Sequence, residues 1–347
     1  MAHLTPGTLF GNQFAMSAWN NDHTRFEADV YELEVIGKLP KTLHGAFYRV
    51  QPDHAFPPMF GDEEVPLNGD GNVASFYIKD GHVDFKNRFV RTPKFQTERA
   101  ARQALLGRYR NKFTDDPRVQ NILTRTTANT HVIYHANKLM VLKEDARPFE
   151  LDAETLDTLG IVDYQGTFRC PTHTAHPKAD STTGELVGFG YEAKGEASPD
   201  IYSFTVDKHG RVTEEVWFKA PWACMIHDFW VTDNYVVFPI NGLKASLEQM
   251  KKGGEHFYYD DNLDYQLLGA RQNLRMPSGL RRRADVTRTP STATKKTGSW
   301  FWTLMSGPTA TSPSFLIAKV RSSSPTQPPS GHQCSGTVST PKAAPTR

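Results

Sequence analysis

The sequence predicts an all-β fold assembled from successive hairpins, either a propeller or a large sandwich. Three observations predict it. Between residues 28 and 269, short runs rich in β-branched and aromatic residues alternate with turn signals. The turns carry glycine, asparagine and aspartate, the residues that accept positive φ at low cost. One segment alone in that range has helical character. The chain has 347 residues, 38% hydrophobic and 11% aromatic, enough for two ordinary domains or one large β domain.

The elements follow in order. VYELEVIG (30–37) and GAFYRV (45–50) are the first expected strands. ASFYIKDGHVDFKNRFVRT (74–92) reads as a hairpin reversing at Asp80-Gly81. TERAARQALLGRYR (97–110) then reads as a short inserted helix, with helix formers, a threonine start and Gly107 near its end. HVIYHANKLMVLKED (131–145) reverses at HAN, and DIYSFTVDKHGRVTEEVWF (200–218) at Lys208-His209-Gly210. DFWVTDNYVVFPI (228–240) closes the series, reversing at TDN. A propeller repeats at about 40–50 residues per blade. No crisp internal repeat is visible, so the bladed form rests on hairpin rhythm.

The character changes near Gly269-Ala270. The tail, 270–347, is rich in Ser, Thr, Pro and Arg and is expected to be disordered, because it cannot bury enough apolar surface to offset ordering entropy. Net charge is +2, unevenly spread. The body to residue 269 holds 28 Lys plus Arg against 37 Asp plus Glu, and the tail holds 12 against the single acid Asp285. An acidic body argues against nucleic acid as the main partner. The basic tail lacks periodicity and interleaved aromatics, and does not reverse that reading. Cys170, Cys224 and Cys334 are not at CxxC spacing, which fits a reducing compartment. The amino-terminal stretch has no basic region followed by an apolar run, and no segment approaches ~18 apolar residues. A soluble, cytoplasmic protein without a transmembrane segment is expected.

Two histidine contexts stand out, PTHTAHPK around His176 and MIHDFW around His227. No local HExxH or CxxC signature accompanies them. Met225, Ile226, Phe229 and Trp230 flank His227, so it is expected to be buried at a strand end, where an imidazole needs a partner or a metal on each nitrogen. His176 precedes a proline, which holds it extended. Taken alone, either histidine reads better as structural than as a ligand.

THTAHPKADSTTGEL (172–186) and MIHDFWVTDNYVVFP (225–239) resemble the first and second iron-ligand segments of the carotenoid cleavage oxygenases and their stilbene-cleaving relatives. NGDGNVASFYIKDGHVDFKNRFVRT, GRYRNKFTDDP and TANTHVIYHANKLMVLKEDARPFELD agree in family order, the last two with the enzymes that split phenolic stilbenes. The resemblance spans about 30–269. It implies a seven-bladed β-propeller with Fe(II) on its axis, held by four histidines, and oxidative cleavage by dioxygen of a C=C bond into two carbonyl products. On that pattern His176 and His227 match the first two ligands. Glu144 matches the carboxylate that orients a ligand histidine. Lys143 matches the residue that grips the phenol hydroxyl, favouring its phenolate character. A carotenoid or apocarotenoid substrate is the alternative, and an inactive fragment a third reading.

The sequence departs from the family in two places. The family pairs its lysine with a tyrosine that also touches the phenol; the matching place is Phe113, with Tyr109 nearby. The third and fourth histidines are missing: beyond 269 the one histidine is His332, which does not match. A frame shifted back by one base accounts for this. Across Phe301-Trp302-Thr303 the shifted codons are forced and encode Val-Leu-Asp. Across Thr289 to Lys296 they permit His-Thr-Val-Asn-Ser-Tyr-Glu-Glu, which resembles the third-ligand segment, and across Thr309 to Ser312 they permit Asp-Gly-Asn-Val. The organisation expected is an N-terminal extension (1–27), an incomplete propeller of about four to five blades (28–269), and an out-of-frame tail (270–347). Such a chain, with an open edge and two of four ligands, is expected to fold poorly and lack activity.

Overall fold

The computed structural model describes residues 24–61, 64–119, 122, 124–232, 235–271 and 286–290. They form four four-stranded antiparallel sheets in chain order and one two-stranded ribbon. The first sheet contains β1 (Ala28–Val30), β2 (Gly45–Asp53), β3 (Asp70–Lys79) and β4 (His82–Phe89), in spatial order β1-β4-β3-β2. The second runs consecutively through β5 (His131–His135), β6 (Lys138–Leu142), β7 (Phe149–Leu151) and β8 (Thr158–Ile161). The third comprises β9 (Lys178–Ala179), β10 (Leu186–Tyr191), β11 (Asp200–Val206) and β12 (Val212–Lys219). In the fourth, β13 (Trp230–Val231) and β14 (Tyr235–Ile240) come first. The ribbon β15 (Leu243–Ala245) and β16 (Phe257–Tyr259) intervenes, and β17 (Gln266–Arg271) and β18 (Val286–Pro290) complete the sheet.

The second and third sheets are covered by neighbours on both faces, because their inner strands are apolar on both sides. On β6, Leu139 and Val141 pack with Val73 of the first sheet and Val90 just after it, while Met140, on the opposite face, packs with Tyr202, Phe204 and Val206 of the third. On the third sheet, Phe189, Tyr191 and Ile201 pack instead with Val236, Phe238, Ile240 and Leu268 of the fourth. Sheets stacked face to face in chain order are the blades of a partial propeller. The all-β reading and the four-to-five-blade expectation are both borne out.

Several local expectations hold and several are corrected. Asp80-Gly81 makes a two-residue turn with both φ values positive, and so does Ala136-Asn137. Of TDN, residues 233 and 234 lie outside the described residues. VYELEVIG is not a continuous strand: β1 ends at Val30, Glu32 takes a left-handed backbone and Leu33 N–H still reaches Val83 O of β4, while Tyr31 and Ile36 are exposed. The helix spans Pro93–Ala101 rather than 97–110. Thr92 caps it by accepting from the Phe95 N–H, Pro93 takes the first turn, and Arg102 ends it in the left-handed region. Glu98 then accepts the N–H groups of Leu105 and Leu106 and turns the chain back.

Of the amino-terminal extension, Thr24 bonds Asp53 and Glu27 accepts the Phe89 N–H. At the other end, β17 passes Gly269, and Val286–Pro290 pairs with it as β18. That short stretch of the tail is strand rather than structureless; 272–285 and 291–347, including the proposed frame-shifted segments beyond Pro290 and His332, lie outside the described residues.

Candidate metal centre

Three consecutive blades each deliver one polar group to a common point. Glu144 follows β6, His176 precedes β9 and His227 precedes β13. Their ligating atoms all lie within 4.8 Å of one another. The two Nε2 atoms are 3.1 Å apart, with the rings nearly perpendicular at 75°. His227 Nδ1 meets Glu144 Oε1 at 2.5 Å. That bond places the His227 proton on Nδ1 and leaves the Nε2 lone pair facing His176.

The loop that carries His176 is built onto β10. Thr174 N–H donates to Phe189 O at 2.6 Å, Thr172 Oγ1 donates to Tyr191 O at 2.9 Å, and Thr174 Oγ1 accepts the His176 N–H at 3.0 Å. The loop lies so close that a Cβ on Gly190 would stand 2.5 Å from Thr172 O. His131, the first residue of β5, packs its ring 5.5 Å from that of His176 and bonds Ala175 O through Nδ1.

His227 corrects the expectation of burial. Ile226 and Phe229 turn into the core, but His227 faces the other way and its side chain is 56% exposed. His173, also in the quoted motif, is the structural histidine of the pair. It is fully buried, bonded to Tyr164 OH at 2.9 Å and Thr174 O at 2.6 Å, and burial pushes its pKa down to about 4.

The electrostatics favour a cation. Burial alone pushes the Glu144 carboxyl up, but the hydrogen bond and charge of His227 outweigh it and hold it below the usual range. The same hydrogen bond raises His227, while burial and then the facing His227 lower His176. Two nitrogens bound to one ion at about 2.1 Å and at right angles lie about 3.0 Å apart. The observed spacing therefore fits two adjacent ligands of a single ion, with Glu144 orienting one of them.

Lys143, next to Glu144, is 3% exposed. Its Nζ donates to Leu67 O at 2.7 Å and Thr127 Oγ1 at 2.5 Å. Among the described residues no carboxylate hydrogen-bonds it, and burial lowers its pKa. The aromatic residue against it is Tyr109, whose ring centre is 4.9 Å from Nζ. Phe113 does not take that place: it is 42% exposed on the turn Lys112–Thr114, with Lys112 over its ring. Sequence reasoning missed Thr127 and Leu67 O, because a backbone carbonyl and a threonine carry no signature until the chain folds.

Imidazoles and a backing carboxylate supplied by successive blades of a propeller-type fold make a site that could hold one metal ion. A family model described as retinal pigment epithelial membrane protein matches residues 21–272, and the chain belongs to that family, the carotenoid oxygenases. Resveratrol cleavage oxygenase 1 of Aspergillus fumigatus is 49% identical over 235 residues, 68% of this chain and 46% of that protein. Isoeugenol monooxygenase of Pseudomonas nitroreducens is 48% identical over 228 residues, 66% and 47% of the two chains. The crystal structure of Pseudomonas brassicacearum lignostilbene dioxygenase superposes with a TM-score of 0.70 at 43% identity, covering 73% of this chain and 52% of that one. The chain thus spans about half the length of the relatives it matches. The family resemblance read from the sequence is borne out.

Proposed function

We propose that this chain carries the metal-binding and phenol-gripping part of a non-haem Fe(II) dioxygenase that splits the C=C bond of a phenolic stilbene into two aldehydes. One observation carries the reading: Glu144, His176 and His227 converge on one point while the adjacent Lys143 is buried with only neutral hydrogen-bond acceptors. When bound, Fe(II) supplies the activation of dioxygen, and neutral imidazoles hold it without cancelling its charge. The overall change balances without a further oxidant, since each alkene carbon takes one oxygen atom of O₂.

The protein's own groups orient and polarise. Glu144 keeps the His227 tautomer that offers Nε2 to the ion. Lys143 has a donor to spare for a phenol oxygen, and its charge favours the phenolate. A phenolate conjugated to the alkene pushes electron density into the bond to be cut. Tyr109 walls the same spot; burial raises its hydroxyl well above the usual range, so it stays protonated and can donate.

Resveratrol, isoeugenol and lignostilbenes are all phenols with a ring-conjugated alkene. A carotenoid has no phenol for Lys143, so that alternative ranks second. Among the described residues no helix is long and apolar enough to cross a membrane. Cys170 and Cys224 are free and buried, which supports the cytoplasmic location we propose.

The test is metal uptake followed by turnover. The full chain is dialysed against Fe(II) without oxygen, then given oxygen and 4-hydroxystilbene, and aldehydes are quantified by chromatography. One ion per chain, lost in His176→Ala, is expected, and any aldehyde formed should disappear in Lys143→Met. Metal uptake without any aldehyde would favour the inactive-fragment reading, to which the exposure of His227 already lends weight.

A further inference from the structure

Lys178 and Asp228 belong to neither the ligand set nor the phenol grip. Each nevertheless adjoins a ligand: Lys178 lies two residues after His176, and Asp228 one after His227. Lys178 opens β9 and Asp228 lies on the loop before β13, 50 residues apart on different blades, and their side chains meet with Nζ 2.6 Å from Oδ1. Both are about three-quarters buried, at 29% and 27% exposure. The same Asp228 oxygen accepts the Phe229 N–H at 2.8 Å, which holds its side chain against its own loop. Lys178 Nζ lies 5.4 Å from the centre of the buried Phe229 ring, so the ammonium is braced by a carboxylate and an aromatic face together.

Stability does not explain the pair. Partly exposed ion pairs contribute little to it. Both loops are already anchored, one by Thr172 and Thr174 on β10, the other by Ile226 and Phe229 in the core. Anchoring each loop to its own blade does not set the distance between loops. That distance matters, because the two Nε2 atoms, 3.1 Å apart and hydrogen-bonded to each other, must both turn their lone pairs to one ion when it binds. A metal site must hold its donors within tenths of an ångström of the bound geometry before the ion arrives.

We propose that Lys178 and Asp228 form a strap joining the two ligand loops, which presets the spacing of His176 and His227 for the ion. They are positioning residues, and the inference rests on the metal-centre reading above. The strap works through opposite charge, so exchanging the charges should preserve it.

The test uses the full chain and Co(II) as the probe. Affinity is measured by equilibrium dialysis, and geometry by the visible ligand-field absorption at saturating Co(II). Lys178→Met and Asp228→Asn should each weaken Co(II) binding about tenfold or more and shift the absorption band, with far-UV circular dichroism unchanged. Asp228→Glu should fall between parent and Asp228→Asn. The exchanged pair, Lys178→Asp with Asp228→Lys, should regain most of the loss. Single variants that bind like the parent, or an exchanged pair no better than the singles, overturn the strap and leave the metal centre standing. A parent that takes up no Co(II), or uptake indifferent to His176→Ala, overturns the metal centre and the strap with it.

Discussion

Glu144 spends its burial on one interaction. It is 3% exposed, and its carboxylate is tolerable there because His227 Nδ1 meets it at 2.5 Å. Glu144→Gln keeps the size but weakens the acceptor, so we expect a ten- to hundred-fold loss of Co(II) or Fe(II) affinity by calorimetric titration. His173 makes a second prediction at this scale. Its pKa falls from 6.5 to about 4 on folding, so the unfolded chain binds the extra proton. The stability it contributes is fully present above pH 6.5 and drains as pH falls towards 4, by about 3 kcal/mol in all. Urea midpoints at pH 7.5, 6 and 5 should fall accordingly, and His173→Phe should flatten that slope even if its own midpoint at pH 7.5 is lower.

At the scale of elements, a buried ionic cluster ties three segments together. Arg110 donates to Glu192 at 2.5 Å and to Tyr191 OH at 2.7 Å, and His256 bridges Glu192 to the Arg110 carbonyl. Arg110 and Glu192 both hold left-handed backbone, at φ 57° and 50°. Non-glycine residues keep that conformation only where their surroundings over-determine it. The cluster joins the turn after Leu106 to the end of β10 and the loop before β16, and so fixes Tyr109 beside Lys143. Glu192→Ala leaves a buried guanidinium without its carboxylate. We expect a loss of about 3–5 kcal/mol in urea unfolding. Arg110→Met combined with Glu192→Met should cost less than the two single losses added together. The helix Pro93–Ala101 offers a smaller test: Thr92→Ala removes its cap and should cost about 1 kcal/mol.

For the molecule as a whole, the middle blades are covered on both faces and the first is not. Phe47 is exposed on β2 and shares a face of that sheet with the partly buried Phe76 and Phe85 and the exposed Val30, while Tyr77 is exposed on the opposite face. Clustered apolar side chains on an open face favour association. Sedimentation of the full chain should therefore show concentration-dependent self-association, reduced by Phe47→Lys. Sedimentation as a monomer across the micromolar range would refute it.

Much of this was legible in the residues themselves. The hairpin at Asp80-Gly81 follows from local chemistry, since positive φ is cheap for both residues, whereas at Ala136-Asn137 the asparagine alone is suited to it and the paired strands hold Ala136 there. Strand-rich alternation sufficed for the all-β class, and the quoted motifs for the family. Where neighbours in space decide, the sequence was mute or misleading. VYELEVIG has strand composition, but beyond Val30 a left-handed Glu32 breaks the ladder and leaves a single backbone bond, Leu33 N–H to Val83 O of β4. LVGFGY reads poorly as a strand, yet its glycines are required: a Cβ on Gly188 would stand 2.4 Å from the Phe204 ring. The sequence by itself determined the strand-forming runs, the tight turns and the identity of the two histidines. Only the tertiary structure decided that Glu144, His176 and His227 meet, that Tyr109 rather than Phe113 faces Lys143, and that Lys178 pairs with Asp228. The reason is physical: turns and strands are set by interactions over a few residues, whereas these contacts span tens of residues and exist only after the blades have packed.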